Sequence, residues 1–333
     1  MEASTAAKNA LLNVLEAAPG EQIVVVCDED LKDVGDAFAH GAVEMGLWTR
    51  LVMLKTEGMV RKDIPNHLYE IFNTQRPDIF INLLRGSSEE TPFRIKVTKM
   101  ETRRRVRLGH CPGITLDMLT EGALALSSDE YKRMQIAADR LMMHLQNVDR
   151  VHVTAPGGTD LTMSVKARPF FTDTKIDWHA MKWMNLPVGE VLCGPVEDGA
   201  NGTLVCDMAV GGIGPLNSPV TIKFNRGTAE EILCEDKENM DRIMEAVNLD
   251  EWGKKIGEFA FGINPHARLT TDFLETEKVH KSCHVALGNN EDFPGGRNPS
   301  ANHMDFLFSE PTVTIYYEDG HEYKIMESGL LIL

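Results

Sequence analysis

The chain has 333 residues, of which 43% are hydrophobic and 25% are charged. This length is sufficient for a large buried core and for two domains. The formal net charge of -16 argues against a surface that binds nucleic acid or anionic membranes.

Two further features of the sequence concern the cellular location. No stretch approaches the roughly 20 apolar residues that span a bilayer, and the first residues lack the basic and apolar regions of a signal peptide. The six cysteines are dispersed without a CxxC pair, and buried free thiols are their simplest interpretation. We therefore expect a cytoplasmic protein.

Strand and helix signals alternate along the first half of the chain. Apolar runs suited to buried parallel strands alternate with helical spacing of apolar residues. The predicted strands are 22–28, 49–55 and 77–86, and the predicted helices are 31–46 and 66–75. A further helix or linker precedes the segment 105–114. This rhythm predicts an open parallel α/β sheet in three layers, without the GxGxxG turn that would support nucleotide binding.

The pattern changes near residue 150. A long helix is predicted over 127–148, with a serine cap and an acidic residue close behind it. Beyond it, short alternating segments indicate a mixed, mainly antiparallel sheet, and Asp319-Gly320 is typical of a tight hairpin turn. One helix, over 237–249, interrupts this region. We therefore predict an N-terminal α/β domain over 1–150 and a C-terminal α+β domain over 151–333.

Histidines and carboxylates adjoin apolar segments in the second half. Glu190, Glu258 and His284 each lie beside a strand-like run, and His303 and Asp305 are two residues apart, which places both on one face of a strand. Two histidines and three carboxylates form a mixed set that suits Zn, Mn, Co or Fe. Their number suits two ions that share a bridging carboxylate.

Each of these residues also has a simpler interpretation. An isolated glutamate is more often a solvated edge residue, and a lone histidine is more often a satisfied core residue. His303 and Asp305 could form one structural hydrogen-bonded pair. Because the five residues lie far apart in the sequence, spacing alone leaves these alternatives open.

Five motifs in the second half resemble the metallo-aminopeptidases of family M29, the aminopeptidase T or leucyl aminopeptidase group. The motifs are NLPVGEV with NGT, GEFAFGINPHARLT, EKVHKSCHVALGNN, GGRNPSANHMDF and PTVTIYYEDG. The N-terminal half, with GHCPGITLDML, is similar to the shorter members of that group. The resemblance implies a homodimer and a two-metal centre in the C-terminal domain. Its implied ligands are Glu190, Glu258, His284, His303 and Asp305.

The sequence departs from the long members of the family at two positions. Glu291 stands where they have a tyrosine, and Val279 stands where they have an acid. The nearest acid is Glu277, which we predict to be the general base, although a surface acid at a helix end is an alternative. Lys278 could orient an oxyanion or a substrate carboxylate, but a surface ion pair is the simpler interpretation. Gly295 and Gly296 would let the loop backbone approach a substrate closely or would form a plain turn.

The predicted activity is that of a metal-dependent aminopeptidase, in which two metals activate the water that attacks the peptide. A related branch of similar architecture contains dihydroxypyridine dioxygenases with a single non-haem Fe(II), where a histidine takes the place of Glu258. That alternative stays open, as does a metal-dependent hydrolase that acts on a small molecule other than a peptide. A metal-free binding protein is the third possibility.

Overall fold

The computed structural model describes residues 1–56, 58, 60–177 and 183–333. The chain forms two compact units. The first contains Met1–Gln135 and Asp173–Val188, and the second contains Ile136–Thr172 and Gly189–Leu333. No single cut of the chain separates them, because Asp173–Val188 belongs to the first unit. The domain limits 1–150 and 151–333 stay a prediction.

The described residues contain α-helices and strands throughout. The helices are α1 (Ala3–Asn13), α2 (Lys32–Glu44), α3 (Asn66–Thr74), α4 (Thr91–Glu101), α5 (Leu116–Thr120), α6 (Ser128–His144), α7 (Lys237–Val247) and α8 (Phe273–Thr276). The first ten strands are β1 (Gln22–Asp28), β2 (Trp48–Leu54), β3 (Ile79–Leu83), β4 (Arg107–His110), β5 (Val148–Thr154), β6 (Asp160–Ser164), β7 (Phe171–Thr172), β8 (Trp183–Asn185), β9 (Glu190–Cys193) and β10 (Ala200–Cys206). The others are β11 (Ala209–Val210), β12 (Gly214–Pro215), β13 (Val220–Asn225), β14 (Thr228–Cys234), β15 (Ile256–Gly262), β16 (Ser282–Gly288), β17 (His303–Ser309), β18 (Thr312–Tyr317), β19 (Glu322–Glu327) and β20 (Leu330–Leu331).

The first unit is built on a parallel sheet in the order β2-β1-β3-β4-β8. This confirms the open parallel α/β sheet that the alternating pattern predicts. Val24, Val26 and Phe80 of the sheet pack with Phe93 and Val97 of α4 in a buried apolar cluster. The strand β8 joins this sheet from a distant part of the sequence, and the pattern did not predict that pairing.

A buried ion cluster lies at the carboxyl end of β1. The Arg61 guanidinium donates hydrogen bonds to Asp28 and to Glu90, and its Nη2 lies 2.7 Å and 2.6 Å from their carboxylate oxygens. All three side chains are at most 6% exposed. Burial alone would raise the pKa of Glu90, but hydrogen bonds from Arg85 and Arg61 hold that pKa well below its usual range.

A second buried acid lies behind β3. Glu101, at the end of α4, is 2% exposed and accepts a hydrogen bond of 2.7 Å from Asn82. Burial raises its pKa to about 8, although the bond from Asn82 opposes the shift. Glu101 is therefore protonated over much of the neutral pH range.

The predicted cap of α6 is present. The Glu130 amide donates to Ser127 Oγ over 3.3 Å, and the Ser127 amide donates to Glu130 Oε2 over 2.8 Å. These reciprocal bonds form a capping box, which satisfies two of the amides at the start of the helix.

The second unit contains two antiparallel sheets. One has the order β14-β13-β10-β6-β5-β18-β19-β20, and Gly320 stands in the hairpin between β18 and β19 at a φ of 89°. The other has the order β12-β11-β17-β16-β15-β9-β7, and every residue of β15 and β16 is buried. The predicted antiparallel region is thus confirmed, and the second of these sheets carries the candidate site.

The structure also bears on two expectations from the sequence, which are that the cysteines are buried free thiols and that no segment spans a membrane. All six cysteines are free thiols, and five of them are buried, with Cys234 half-buried. In the described part of the chain, no helix combines the length and the apolar character that a bilayer crossing requires.

Candidate metal centre

Four neighbouring strands bring the five predicted ligand residues to one face of the sheet. Glu190 lies on β9, Glu258 on β15, His284 on β16, and His303 and Asp305 on β17. The cross-strand partners are Glu190 with Gly262, Glu258 with Ala286, Ala286 with Asp305, Ala260 with His284, and Gly288 with His303. Because successive side chains of a strand alternate between faces, these pairings place all five on the same side.

A bulge at the start of β15 adjusts this alignment. The pairing of β15 with β16 shifts between Ile256 and Glu258. A Cβ on the intervening Gly257 would lie 2.4 Å from the carbonyl oxygen of Gly288, so only glycine fits there. The extra residue leaves Glu258 opposite Ala286, in line with Asp305 on the next strand.

The opposite face of these strands packs into the core. Phe259 and Phe261 alternate with the site-facing positions of β15, and their rings meet edge to face with centroids 4.9 Å apart. Phe306 and Phe308 do the same on β17 and are at most 1% exposed. Site residues and core residues therefore share each strand, and the core fixes the strands that hold the site.

The five residues form two overlapping groups. Glu190, Glu258 and His284, which we call the inner triad, are all buried, and each offers one ligand atom within 4.8 Å of the others. Glu258, His303 and Asp305, the outer triad, do the same with His303 exposed. Glu258 belongs to both groups. Its Oε1 lies 3.2 Å from His284 Nε2, and its Oε2 lies 3.2 Å from His303 Nε2.

The remaining distances close each triad. His284 Nε2 lies 3.7 Å from Glu190 Oε2, and His303 Nε2 lies 3.5 Å from Asp305 Oδ1. A distance of 3.9 Å joins His284 Nε2 to Asp305 Oδ1. Two imidazole nitrogens and three carboxylates thus converge on a small volume.

The electrostatics of the centre are those of a cation site. Burial favours the neutral form of Glu258, yet hydrogen bonds from His284 and His303 hold its pKa well below the ordinary value. Burial disfavours charge on His284, but the hydrogen bond and charge of Glu258, with Asp305 and Glu190 close by, raise its pKa to about 9. The pKa of His303 is likewise raised well above its usual value, against burial, by Asp305 and Glu258. The carboxylates therefore stabilise positive charge at this site, and protonated imidazoles supply that charge.

The donor atoms fit divalent metal ions. His303 Nδ1 donates to the carbonyl oxygen of Asn289 over 2.8 Å, which directs Nε2 toward the carboxylates. Among the described residues, His284 Nδ1 and Asp305 Oδ1 are buried without a hydrogen-bond partner. Imidazole nitrogens and carboxylate oxygens of this kind suit Zn, Mn or Co, and Fe is compatible with the same donors.

Glu277 and Lys278 lie beside the inner triad, directly after α8. The Lys278 ammonium is 1% exposed, lies 2.8 Å from Glu277 Oε1 and also donates to Glu190 Oε1. The surface ion pair suggested for Lys278 was wrong, because this ion pair is buried. The Glu277 side chain is 15% exposed. Burial raises its pKa, the charge of Asp305 adds to the shift, and Lys278 opposes it.

Sequence reasoning missed the residue that anchors the loop between β16 and β17. Glu197 accepts a bond of 2.5 Å from Arg168 and bonds of 3.2 Å and 2.8 Å from Asn290 and the Arg297 amide. The asparagine-rich composition of that loop was the available signal. A Cβ on Gly296 would lie 1.8 Å from the carbonyl oxygen of Asn290, so this glycine closes the loop on itself.

The second half of the chain matches a known family of metalloproteases. The profile of the family of thermophilic metalloproteases (M29) matches residues 128–330. A stretch of 162 residues is 27% identical to aminopeptidase T of Thermus thermophilus, and it covers 44% of this chain and 39% of that relative. The chain thus matches about two fifths of the length of that relative.

Two solved structures have a similar fold over nearly the whole chain. AmpT from Thermus thermophilus has a TM-score of 0.74 and 16% identity, with 99% of each chain covered. The 2,5-dihydroxypyridine dioxygenase from Pseudomonas putida KT2440 has a TM-score of 0.70 and 16% identity, with 99% of this chain and 96% of that chain covered. At this identity the two likenesses establish the fold alone.

Proposed function

Because the chain belongs to the M29 family of metalloproteases, we propose that it is an aminopeptidase whose centre holds two divalent cations. The inner triad would hold one cation and the outer triad the other. The proposed ligands are Glu190, Glu258, His284, His303 and Asp305. A cytoplasmic homodimer belongs to the same proposal.

The observation that carries the proposal is the position of Glu258. Its two carboxylate oxygens approach different histidines, each over 3.2 Å, so one side chain contributes to both triads. A carboxylate that presents one oxygen to each of two cations is the bridging ligand of two-metal hydrolases. The burial of Glu258, at 4% exposure, keeps water from competing for those oxygens.

Cations bound at this centre would polarise the scissile carbonyl and make a water molecule acidic enough to attack it near neutral pH. The residues of the chain supply the remaining steps. Glu277 is not a member of either triad, and its raised pKa suits a group that accepts a proton from water and gives it to the leaving amine. Lys278 fixes its carboxylate over 2.8 Å. The acidic surroundings would favour the positively charged amino terminus of a small peptide.

The dioxygenase of similar fold supplies the second candidate function. A single Fe(II) centre of that class uses two histidines and one carboxylate. Here the position between the two histidines is an acid, Glu258, and a second acid, Glu190, lies 3.7 Å from His284. The excess of carboxylates favours two cations and hydrolysis. A metal-dependent hydrolase of another small molecule stays the alternative for the substrate.

The proposal is tested by metal content and by activity on the same preparation. Protein purified without chelators or a histidine tag is analysed for metals and then assayed with amino-acid amides and dipeptides. We expect close to two Zn, Mn or Co per chain and release of the N-terminal residue. Metal-replete protein that releases no amino acid would contradict the proposed activity, and one iron per chain with oxygen-dependent ring cleavage would support the second candidate.

The role of Glu277 has its own test. Glu277→Gln should lower kcat by at least about a hundredfold, the low end for a general base, while the metal content is unchanged. The matched control is Glu251→Gln, which changes an exposed acid outside both triads. Unaltered turnover of the Glu277 variant would remove it from the mechanism.

A further inference from the structure

Lys278 is a buried cation inside a centre that is built to bind cations. Its side chain is 1% exposed and contacts the carboxylates of Glu190 and Glu277. A lysine so completely buried is rare unless it is paired, so these contacts account for its position. Glu190 is also a member of the inner triad. The same carboxylate is therefore shared between the ammonium and any metal ion that the triad binds.

The two oxygens of Glu190 have different surroundings. Oε1 accepts the hydrogen bond from Lys278, whereas Oε2 lies 3.7 Å from His284 Nε2. A cation held by the inner triad would share the carboxylate of Glu190 with the ammonium of Lys278, which carries a like charge. In the outer triad, His303 pairs with Glu258 and with Asp305, and among the described residues no lysine takes part in these ion pairs.

The backbone holds Glu190 independently of the lysine. Gly262 of β15 pairs with Glu190, and Thr172 donates to the carbonyl oxygen of Glu190 over 2.8 Å. Loss of the ammonium would therefore remove the Lys278 bond to Glu190 Oε1 without releasing the strand. At short range in a buried site, repulsion between the Lys278 ammonium and a bound cation is large. It exceeds the benefit that the cation gains because the lysine fixes the side chain of Glu190.

We propose that Lys278 is a positioning residue that makes the two metal positions unequal. By engaging Glu190 it weakens the binding of a divalent cation at the inner triad relative to the outer triad. This inference rests on the proposed two-cation function. It predicts two cations of unequal affinity, with the cation in the outer triad held more tightly.

The test is calorimetric titration of metal-free protein with Mn²⁺ alone, so the readout does not depend on catalysis. The wild-type chain should show a tight step and a weak step, and Glu190→Gln should abolish the weak one. Lys278→Met should increase the Mn²⁺ affinity of the weak step by at least about tenfold and leave the affinity of the tight step unchanged. Substitutions of residues that contact metal ligands typically change metal affinity by about this factor or more. Lys278→Arg keeps the charge and should resemble the wild type.

Two further variants serve as a control and as a second neutral replacement of Lys278. Lys281→Met makes the same substitution at an exposed lysine three residues away and should change neither step. Lys278→Gln replaces the charge with a neutral donor and should tighten the weak step even if the methionine variant fails to fold.

Each outcome decides the inference. Unchanged or weakened binding in the folded neutral variants of Lys278 overturns it and leaves the two-cation proposal standing. A wild type that binds one cation, with a second step gained on loss of the lysine charge, supports the role of Lys278 and contradicts the proposal that the wild-type centre holds two cations. A wild type that binds one cation, with no step gained, overturns it. Absence of any binding to the wild type overturns both proposals.

Discussion

Replacement of Glu258 by glutamine should impair both cation positions, because this residue alone belongs to both triads. Glutamine keeps the size of the side chain and removes its charge. The distances from its two oxygens to His284 and His303 are 3.2 Å each, so neither position is spared. Replacement of Glu190 or Asp305, which belong to one triad each, should impair one position.

The size of the effect follows from the charge that is lost. Two unit charges about 4 Å apart interact by about 4 kcal/mol at an effective dielectric constant of about 20, and a dication doubles the value. Even the lower of these two values, about 4 kcal/mol, corresponds to about a thousandfold in affinity. Because Glu258 is 4% exposed, solvent screening reduces the effect little.

The assay is metal analysis after equilibrium dialysis, combined with titration of metal-free protein. We expect about two ions per chain in the wild type, none retained by Glu258→Gln, and one retained by Glu190→Gln or Asp305→Asn. Glu251→Gln, at an exposed site, is the matched control. If the Glu258 variant kept one ion at wild-type affinity, the bridging role would be refuted.

Three other substitutions test individual features of the fold. Arg61→Met removes the guanidinium that Asp28 and Glu90 share, so that Glu90 keeps Arg85 but the buried Asp28 keeps a backbone amide of Arg85 in place of a charged partner. It should lower the free energy of unfolding at pH 7 by about 3–5 kcal/mol in urea titrations. The folded-state pKa of Glu90 is depressed, so in the wild type its contribution is present above pH about 4.3 and is lost as the pH falls. The pKa of Glu101 is raised to about 8, so the native state binds the extra proton and loses stability as the pH rises from about 5 to 8, by at most about 1.4 kcal/mol per pH unit. Glu101→Gln should therefore reduce the dependence of the free energy of unfolding on pH over that range. An unchanged pH dependence would contradict the raised pKa of Glu101. Gly296→Ala should weaken metal binding at His303 by distorting the preceding loop, because its Cβ would lie 1.8 Å from a backbone oxygen; wild-type metal affinity would show that the loop can adjust.

Periodicity predicted the elements of the fold better than their partners. The apolar run at 22–28 coincides with β1, and the run at 49–55 lies one residue from β2 at each end. The pairing of β8 with β4 was not predicted, because a strand of three residues, Trp183–Asn185, is too short for a pattern of period two. The burial of Asp28, Arg61 and Glu90 was also not predicted, since it depends on contacts between segments far apart in the chain.

The five candidate ligands were proposed from the sequence, whereas the geometry that brings them together could not be predicted. The spacing of His303 and Asp305 already placed both on one face of a strand. The alignment of Glu258 with Asp305 depends on the bulge at Gly257, which no local pattern identifies. The burial of Lys278 was missed for a related reason, because its partner Glu190 is 88 residues away in the sequence. The sequence motifs indicated the five candidate ligands, and the register between the strands brings those residues together.

Charge balance gives the strongest physical reason to expect two cations. Four carboxylates, those of Glu190, Glu258, Asp305 and Glu277, and one ammonium, that of Lys278, leave the centre with a net charge of three negative units when the imidazoles are neutral. One dication would leave one buried negative unit, which is costly unless a proton stays on one histidine. Each triad contains one histidine, so a proton on the histidine of the second triad would occupy the nitrogen that a second ion needs. Two dications reverse the sign to one positive unit, which favours an anionic reaction centre such as the oxyanion of peptide hydrolysis. The two structures of similar fold share the scaffold, so the acid at Glu258, and not the fold, argues for hydrolysis in this chain.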